Sequence, residues 1–588
     1  MPRPGGAVIR KLALLLPYLR RYRGALLLGL GSMLLATAFA RLIPWLLKLA
    51  IDTLKTGGAT ALHRVLLLGA AMVGAGILHA LFLYAQRWLM IGTSRRIEYD
   101  LRQNLFRHVQ RCDLAFFGST KTGDLMAHFT NDLNAVRDVS GPGIMYTASM
   151  TVGLVSSLAL MIALSPTLTL IAFAPYPIVS VITFYFGRSM YQRSRRVQDL
   201  FGLLSARVQE DLTGARVIRA YRQEDAAAGN FRRLNQDYLD ANMSVAWLRG
   251  RFVAAMEGLA GTGLAIALLV GGGMVIRQSL TLGELVAFSA YLADLIWPVI
   301  AIGFVIGMLQ RGASAAGRIE EVLRAQPGIV AGPLGQRPVP RVAFEDVCFR
   351  YPGAAADALQ GIRFRLEPNQ TLGIVGRTGS GKSTVLKLLL RFYDPTAGRI
   401  LLDGADLRQR DLGALRATIG YAPQDAFLFS RTVAENIAYG SPAASRAAVI
   451  AAAERVQLRE EIETFPQGFD ALVGERGITL SGGQRQRASL ARALLLEPDL
   501  LLLDDTLSSV DALTEVAILE QLRRYCQGRT AIIVSHRISA VQEADWILVL
   551  EQGRVIEEGR HASLVAQGGL YARLHERQRL ADEIEGVV

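Results

Sequence analysis

Six long apolar stretches in the first part of this 588-residue chain constrain its fold more than any other feature. They lie at 24–52, 65–92, 142–164, 167–189, 255–277 and 283–309. Each is long enough to cross the hydrocarbon core of a bilayer as a helix, which takes about 20 residues. Six such helices are too many to be the buried core of a soluble protein. The pattern therefore predicts a six-helix membrane region.

The connections between these stretches indicate their orientation. Residues 165–167 and 277–279 leave room only for tight turns, whereas 93–141 and 190–254 are long, polar and favour helix. The long connections carry arginines at Arg95, Arg96, Arg102, Arg107, Arg111, Arg193, Arg195 and Arg196. Because Lys and Arg accumulate in cytoplasmic loops, we expect these connections and both chain termini to be cytoplasmic.

The distribution of charge argues for a membrane setting and against a nucleic-acid partner. Residues 1–340 hold 35 Lys+Arg and 19 Asp+Glu, a balance of +16. Residues 341–588 hold 29 and 32, a balance of −3. A basic excess confined to the apolar half is typical of loops beside a membrane. The sequence also lacks a motif that reads a nucleic-acid groove.

Two other classes of protein are excluded. An amphipathic segment precedes 24–40 and no small-residue cleavage site is suitably placed, so this stretch is not a signal peptide. The three cysteines, Cys112, Cys348 and Cys526, are too few for a disulfide framework and have no metal-ligand spacing. They are expected to be reduced thiols.

A change of composition marks a domain boundary. The segment 325–341 contains Pro327, Gly328, Gly332, Pro333, Pro338 and Pro340. Such a segment does not continue a helix. After it, apolar runs such as 342–344 and 371–375 alternate with helical patterns, which is typical of an α/β domain. We expect a membrane domain with six spans and long cytoplasmic helical loops at 1–324, a linker at 325–341 and an α/β domain at 342–588.

A phosphate-binding loop is the strongest chemical signal in the second half. The predicted strand 372–375 is followed at once by G-x-x-x-x-G-K-[ST] and then by a helix. The loop comprises Gly376, Arg377, Thr378, Gly379, Ser380, Gly381, Lys382, Ser383 and Thr384. Its glycines let backbone N–H groups close around phosphate oxygens, and the helix N-terminus adds a positive dipole end. We expect Lys382 to reach the β and γ phosphates and Ser383 to hold Mg²⁺.

Companion motifs follow in order. The apolar strand 500–503 ends at Asp504, a carboxylate suited to the water shell of Mg²⁺, and the sequence Leu-Ser-Gly-Gly-Gln ends at Gln484. With these motifs the whole chain resembles the ATP-binding cassette (ABC) family. It is similar to an exporter half-transporter of the multidrug, lipid or peptide type, with six spans before one cassette. The resemblance implies ATP and Mg²⁺ as cofactors.

The resemblance also implies roles for single residues. Tyr351 stacks on adenine, Gln424 senses Mg²⁺ and the attacking water, and His536 contacts the γ-phosphate. Glu475 belongs to a loop that touches the membrane domain. Taken alone, a tyrosine before proline is ordinary packing and a histidine after a strand is a satisfied core residue. The family order and spacing of the features together favour the functional interpretation.

The signature Ser481, Gly482, Gly483 and Gln484 is expected to act in trans. It opens a predicted helix, so its free N–H groups form an anion site. In the family this motif faces the ATP held by the opposite cassette, and two cassettes sandwich two nucleotides. The resemblance therefore implies a dimer.

The residue after Asp504 departs from the family pattern. The family normally has glutamate there, the base or water-orienting group for hydrolysis, and this chain has Asp505. Aspartate withdraws the carboxylate by one methylene, and a misplacement of about 1 Å can cost on the order of 10²-fold in rate. We hypothesise a heterodimer in which this site binds ATP but hydrolyses it poorly, while the intact signature serves the partner. The alternative is a tolerated variant that still hydrolyses slowly.

The resemblance further implies how ATP drives transport. Residues 118–125 and 214–221 match coupling helices that dock on cassettes, and the aromatic pair Phe116–Phe117 is suited to anchor the first. Charged residues inside spans usually face the interior. Such residues are Arg41, Lys48, Glu257 and Asp294. They are candidates for a substrate pathway, although Arg41 and Lys48 can also pair structurally or snorkel.

Aromatic residues in the spans suggest an amphipathic cargo such as drugs, lipids or hydrophobic peptides. They are Phe82, Tyr84, Phe184, Tyr185 and Trp297. Helix packing or lipid contact is the alternative for each. The combined expectation is a multi-pass exporter subunit in the plasma (inner) membrane. A homodimeric exporter with slow hydrolysis and a mainly regulatory ATP-binding subunit remain alternatives, and an importer is disfavoured because family importers usually carry the cassette on a separate chain.

Overall fold

The chain folds into a helical unit and an α/β unit. The computed structural model describes residues 10–57, 60–174, 176–474, 477 and 479–585. One unit comprises Met1–Gln110 with Thr122–Ala325, and the other Arg111–Lys121 with Gln326–Val588. The predicted fold class, a helical membrane region followed by an α/β domain, is confirmed.

The helices before residue 325 are mostly long. In chain order they are α1 (Leu16–Arg21), α2 (Arg23–Thr56), α3 (Ala61–Val109), α4 (Leu114–Ser119), α5 (Thr122–Ala127), α6 (Leu133–Asp138), α7 (Ile144–Leu164), α8 (Pro166–Ala172), α9 (Tyr176–Thr213), α10 (Ala215–Ala220), α11 (Glu224–Ile276), α12 (Leu282–Asp294) and α13 (Ile296–Arg324). Wider π-helical turns at His128–Asp132 and Val139–Gly143 join α5, α6 and α7. Of these helices, α4 belongs to the α/β unit.

Four helical segments of the described chain are long and apolar enough to cross a membrane. They are Arg23–Lys55, Ala61–Val109, Thr122–Leu164 and Glu224–Ile276. These segments contain the predicted stretches 24–52, 65–92 and 142–164, and nearly all of 255–277. The stretch 167–189 is covered by α8 and α9, on either side of residue 175, which lies outside the described residues.

The last predicted stretch, 283–309, is divided between two helices. α12 ends at Asp294 and α13 begins at Ile296. Pro298 has no N–H to donate to the carbonyl of Asp294, so the regular helical bond is missing there. The break therefore follows from a proline that the hydropathy pattern did not reveal.

The two tight turns between apolar stretches have clear local causes. The first is shorter than the predicted 165–167, because α8 already begins at Pro166. Proline suits the first helical position, and the Ser165 hydroxyl caps the helix by accepting from Leu168 N–H at 3.3 Å. In the second turn, Thr281 and Glu284 form a reciprocal capping box at the start of α12.

The α/β unit contains two sheets. Its strands are β1 (Val342–Phe349), β2 (Leu359–Leu366), β3 (Thr371–Gly376), β4 (Ala397–Leu402), β5 (Ala405–Asp406), β6 (Ile419–Ala422), β7 (Leu500–Asp504), β8 (Thr530–Val534), β9 (Trp546–Glu551) and β10 (Arg554–Gly559). A four-stranded antiparallel sheet has the order β2-β1-β4-β5. A six-stranded sheet has the order β10-β9-β3-β8-β7-β6, in which only the β10–β9 pair is antiparallel.

Helices complete this unit. They are α14 (Lys382–Leu389), α15 (Leu412–Ala417), α16 (Val433–Ile437), α17 (Arg446–Arg455), α18 (Arg459–Glu463), α19 (Gly482–Leu495), α20 (Ala512–Cys526), α21 (His561–Ala566) and α22 (Leu570–Glu585). The parallel strands are almost wholly apolar and buried, as in β7, where every residue is buried. In such sheets ligands bind beyond the carboxyl ends of the strands, and β3, β7 and β8 all end at the same edge.

Candidate nucleotide-binding site

The predicted phosphate loop lies between β3 and α14. The φ angles of Gly379 and Gly381 are 81° and 102°, in the left-handed region that side chains with a Cβ rarely adopt. These bends bring the chain to Lys382, the first residue of α14. The N–H groups at this helix start and the helix dipole together favour an anion.

The ammonium group of Lys382 is held by the loop itself. Its Nζ donates to the carbonyl oxygens of Gly376 at 2.8 Å and Arg377 at 2.9 Å. Burial lowers the pKa of Lys382, and the carboxylates of Asp505 and Asp504 oppose this shift. The cation therefore lies where the loop would hold phosphate oxygens.

Ser380 supports an anion site independently of the motif. Its side-chain oxygen is buried and has no hydrogen-bond partner among the described residues. Leaving such a group unsatisfied costs about 1–3 kcal/mol. A phosphate oxygen in the loop would satisfy this hydroxyl.

Ser383 and Asp504 place two oxygen atoms side by side next to the phosphate loop. Ser383 Oγ donates to Asp504 Oδ1 at 2.7 Å, and Asp504 is only 2% exposed. Burial raises the pKa of Asp504, and the Ser383 hydrogen bond opposes this shift. Hydroxyl and carboxylate oxygens are the ligands that Mg²⁺ prefers, so these residues fit the predicted metal role. Gln424, the third predicted metal contact, directs its Nε2 towards Asp505 Oδ2 at 3.5 Å.

Asp505 lies directly beside His536. The His536 Nδ1 atom is 2.7 Å from Asp505 Oδ1 and 2.9 Å from Oδ2. Burial alone would raise the pKa of Asp505, but the hydrogen bonds and charge of His536 outweigh it and lower this pKa. The hydrogen bond to Asp505 raises the pKa of His536. The contact therefore stabilises the ionised form of Asp505 and the protonated form of His536.

Tyr351 lies on the wall of the same cavity. Its hydroxyl is 3.1 Å from Thr384 Oγ1, and its ring meets Phe349 edge-on with centroids 4.8 Å apart. Part of the ring is thus committed to packing, as the alternative interpretation expected. Adenine stacking stays a prediction.

One cavity of about 290 Å³ brings most of the predicted residues together. It is lined by Tyr351, Ala358, Thr378, Gly379, Ser380, Gly381, Lys382, Ser383, Thr384, Gln424, Asp504, Asp505, Val534 and His536. The signature residues 481–484 do not line it. The structure thus separates the two predicted nucleotide-contacting regions within one chain.

The signature opens α19 with a capping box. Ser481 Oγ accepts from Gln484 N–H at 3.2 Å, and Gln484 Oε1 accepts from Ser481 N–H at 2.9 Å. Gln484 Nε2 also donates to Glu461 Oε2 at 2.9 Å. A Cβ on Gly483 would lie 2.9 Å from the carbonyl oxygen of Ser509, so close backbone approach requires glycine there.

Comparison with known proteins decides the family. Residues 26–299 match the family described as ABC transporter transmembrane region, and residues 359–508 match the family described as ABC transporter. The probable multidrug resistance ABC transporter ATP-binding/permease protein YheI of Bacillus subtilis (strain 168) is 39% identical over 548 residues. That alignment covers 92% of this chain and 93% of YheI. The chain belongs to the ABC transporter family.

Two further matches agree with this assignment. The multidrug resistance-like ATP-binding protein MdlA of Escherichia coli (strain K12) is 37% identical over 573 residues, covering 95% of each chain. A solved structure of a bacterial Atm1-family ABC exporter with ATP bound is 28% identical, with a TM-score of 0.76. It covers 96% of this chain and 99% of that one. This ABC transporter chain therefore has the exporter fold, and its second unit is an ATP-binding domain with transport ATPase activity.

The structure describes the two predicted coupling segments but not Glu475. Residues 118–125 comprise the end of α4 and the start of α5, and 214–221 contain α10. Phe116 and Phe117 contact each other edge-on, with centroids 5.5 Å apart. Glu475 lies outside the described residues. The coupling roles of these segments stay predictions.

Three of the four predicted intramembrane charges of this ABC transporter form ion pairs. Arg41 pairs with Asp294, and Lys48 Nζ lies 3.0 Å from Glu284 Oε1. Glu257 is exposed and has no ion pair among the described residues. The pairing of Arg41 and Lys48 agrees with the structural alternative considered for both.

The aromatic candidates differ in their surroundings. Phe82 stacks on Phe39 with centroids 5.8 Å apart, and Tyr84 stacks on Trp88. Tyr185 is 65% exposed. The side chains of Phe184 and Trp297 lie outside the described part of the structure.

Sequence reasoning missed Gln486, which supports the site from α19. Its Nε2 donates to Ser508 Oγ at 2.9 Å, and its Oε1 accepts from Ser509 N–H at 2.9 Å. Gln486 is 7% exposed. It thereby ties the signature helix to the segment after Asp505. A polar residue on the buried face of a predicted helix was the one available signal.

Proposed function

We propose that this chain is one subunit of a heterodimeric ABC exporter in the plasma (inner) membrane, with both termini cytoplasmic. Its own site binds ATP with Mg²⁺ and hydrolyses it slowly. Its signature, residues 481–484, completes the active site of a second half-transporter. Its cargo is amphipathic: drugs, lipids or hydrophobic peptides leave the cytoplasmic side by alternating access.

The position of Asp505 carries the proposal of a slow site. The side chain is 12% exposed and both of its oxygens contact His536. A glutamate would place its carboxylate about one C–C bond, or 1.5 Å, farther along the side chain. Since a displacement of about 1 Å can cost 10²-fold in rate, Asp505 is poorly placed to orient an attacking water.

The intact signature supports the proposal of a partner. The capping box of Ser481 and Gln484 leaves the start of α19 ordered, and the N–H groups there suit an anion. These residues do not line the cavity of their own chain. An intact signature beside an altered catalytic position fits a division of labour between two unlike subunits.

The proposed cargo rests on the relatives and on the spans. YheI and MdlA carry names that refer to multidrug resistance. The spans of this chain are apolar, and three of the four charges predicted within them form ion pairs among the described residues. An amphipathic compound suits such a path better than a highly charged one does.

ATP drives the cycle through its greater affinity for the closed pair of cassettes. Closure draws the segments 118–125 and 214–221 together and turns the spans outward. Hydrolysis then resets the dimer.

The decisive experiment compares the ATPase activity of the full-length chain alone with its activity after co-expression with any half-transporter encoded beside it. We expect slow turnover by the chain alone and a gain of about tenfold or more from Asp505→Glu. Asp499→Glu lengthens an exposed carboxylate by the same methylene and is expected to change nothing.

Two results would favour the alternatives. Brisk turnover by the isolated chain, unaffected by Asp505→Glu, indicates a homodimeric exporter. Tight ATP binding with no turnover in any variant or pairing indicates a regulatory subunit.

A further inference from the structure

A glutamine on the C-terminal helix contacts the segment that carries His536. Gln578 Oε1 accepts a hydrogen bond from Ile538 N–H at 2.6 Å, and Gln578 Nε2 donates to Ser539 Oγ at 3.2 Å. Both ends of one side-chain amide are therefore used on two consecutive residues. His536 lies just before them in the chain.

The contact with Gln578 gives the Ile538 N–H group its hydrogen-bond acceptor. Residues Ile538–Ala540 form one helical turn, and the first N–H groups of a helix lack an intrahelical acceptor. Arg537, the N-cap residue, provides no side-chain cap, and Ile538 is only 2% exposed. Gln578 therefore caps this turn from a different part of the chain.

Glu515 of α20 holds the same segment from another direction. Arg537 forms an ion pair with Glu515, whose side chain is 6% exposed. Ser539 Oγ donates to Glu515 Oε1 at 3.3 Å while accepting from Gln578. Each of the three residues after His536 is thus fixed by a partner outside the nucleotide cavity.

The helix that carries Gln578 is firmly docked. Leu570 and Tyr571 of α22 are 3% and 0% exposed and pack in one core cluster with Ile538. The same cluster contains Val375, which precedes the phosphate loop. A displacement of α22 would therefore alter the packing of the segment that carries His536 and of the strand end before the phosphate loop.

We infer that Gln578 is a positioning residue that holds His536 for the γ-phosphate, so that the C-terminal helix sets how strongly the site prefers ATP over ADP. This inference rests on the proposed contact of His536 with the γ-phosphate. Gln578 itself does not line the nucleotide cavity. Because ADP has no γ-phosphate, a displaced His536 weakens binding of the triphosphate and leaves binding of the diphosphate unchanged.

The test measures equilibrium binding of ATPγS and of ADP, each with Mg²⁺, to the full-length chain purified in detergent. Gln578→Leu leaves a side chain of similar size but removes both hydrogen bonds. We expect the ratio of ATPγS to ADP affinity to fall about fivefold to tenfold. This is the size of effect expected when one hydrogen bond, here from His536 to the γ-phosphate, is lost. Arg577→Ala, an exposed neighbour on the same helix, is the matched control and is expected to keep the ratio.

His536→Ala tests the γ-phosphate contact separately from the role of Gln578. If His536→Ala leaves the affinity ratio unchanged, the proposed γ-phosphate contact is wrong. If His536→Ala lowers the ratio and Gln578→Leu does not, or weakens both nucleotides equally, the inference about Gln578 alone is overturned.

Hydrogen exchange supplies a second readout on the same protein. We expect the backbone amides of residues 536–541 to exchange faster in Gln578→Leu than in wild type, and those of residues 372–375 to exchange at the same rate in both. Equal exchange at 536–541 in wild type and Gln578→Leu would overturn the inference. If Gln578→Leu does not fold, Gln578→Asn replaces it, because asparagine keeps the amide on a side chain that is one methylene shorter. The ratio of ATPγS to ADP affinity and the exchange rate at 536–541 are then measured on that variant.

Discussion

One imidazole nitrogen, His536 Nδ1, lies within hydrogen-bonding distance of both carboxylate oxygens of Asp505, at 2.7 Å and 2.9 Å. The two residues follow neighbouring parallel strands, β7 and β8. The contact therefore joins the position of the expected catalytic carboxylate to the residue expected at the γ-phosphate.

The stabilisation from this ion pair is expected to depend on pH. The pKa of His536 is raised above its usual 6.5, so its contribution is complete below pH 6.5 and is lost as pH rises through the raised value. The pKa of Asp505 is lowered below 3.8, so its contribution is present above pH 3.8 and is lost only in stronger acid. The difference in unfolding temperature between wild type and His536→Gln is therefore expected to be larger at about pH 6 than at about pH 9.

The matching control for the pH experiment is Asp505→Asn. In that background, His536→Gln is expected to have the same effect at both pH values. A pH-independent difference in the wild-type background would contradict the assigned ion pair.

The two signature glycines are expected to respond differently to alanine. A Cβ on Gly483 would lie 2.9 Å from the Ser509 carbonyl oxygen, whereas one on Gly482 would meet Ser509 Cβ at an ordinary 3.5 Å. Gly483→Ala therefore has to displace α19 or the backbone at Ser509, at a cost of about 1–3 kcal/mol in the free energy of unfolding. Gly482→Ala is the control and is expected to cost less. Thermal unfolding of the full-length protein measures both variants. Equal decreases in unfolding temperature would contradict the close approach of Gly483 to Ser509.

Asp504 is expected to link nucleotide affinity to magnesium. For wild type, removal of Mg²⁺ with EDTA should weaken ATPγS binding, because the hydroxyl of Ser383 and the carboxylate of Asp504 then lose their shared cation. Asp504→Asn is expected to lower metal affinity about 10- to 100-fold and thereby flatten the Mg²⁺ dependence. The exposed Asp499→Asn should behave as wild type. A full Mg²⁺ response in Asp504→Asn would count against the metal role.

The Arg41–Asp294 pair is expected to contribute to stability as a unit. The Arg41 side chain is 13% exposed and also donates to Ser156 Oγ at 3.3 Å, which joins α2 to α7. Asp294→Asn leaves this guanidinium without its carboxylate, which costs more than removing both charges. We expect the double variant Arg41→Gln with Asp294→Asn to unfold at a higher temperature than the additive sum of the single variants. Glu257→Gln serves as the unpaired control, and strict additivity would mean that the pair does not interact.

Local chemistry explains why many residues that line the candidate nucleotide cavity were expected from the sequence. The phosphate loop needs a buried strand, glycines and a helix start in immediate succession, so Gly381 and Lys382 are fixed by neighbours in the chain. Asp504 was predictable for the same reason, because it ends an apolar strand.

Contacts between distant segments were not predictable in the same way. The bond from Gln578 to Ile538 spans 40 positions and depends on how α22 docks. In the membrane region, hydropathy indicated one helix at 283–309, whereas a single proline at 298 divides it after Asp294. Average hydropathy does not register the loss of one N–H group.

The backbone N–H of Asp505 donates to the Val534 carbonyl at 2.8 Å, so the main chain at this position belongs to the sheet framework. Glutamate would lengthen the side chain while the N–H group at this position still donates to Val534, although the φ angle of 49° at Asp505 favours aspartate. The proposed difference in rate between an aspartate site and a glutamate site would then arise in the side chain, with the pairing of β7 and β8 retained.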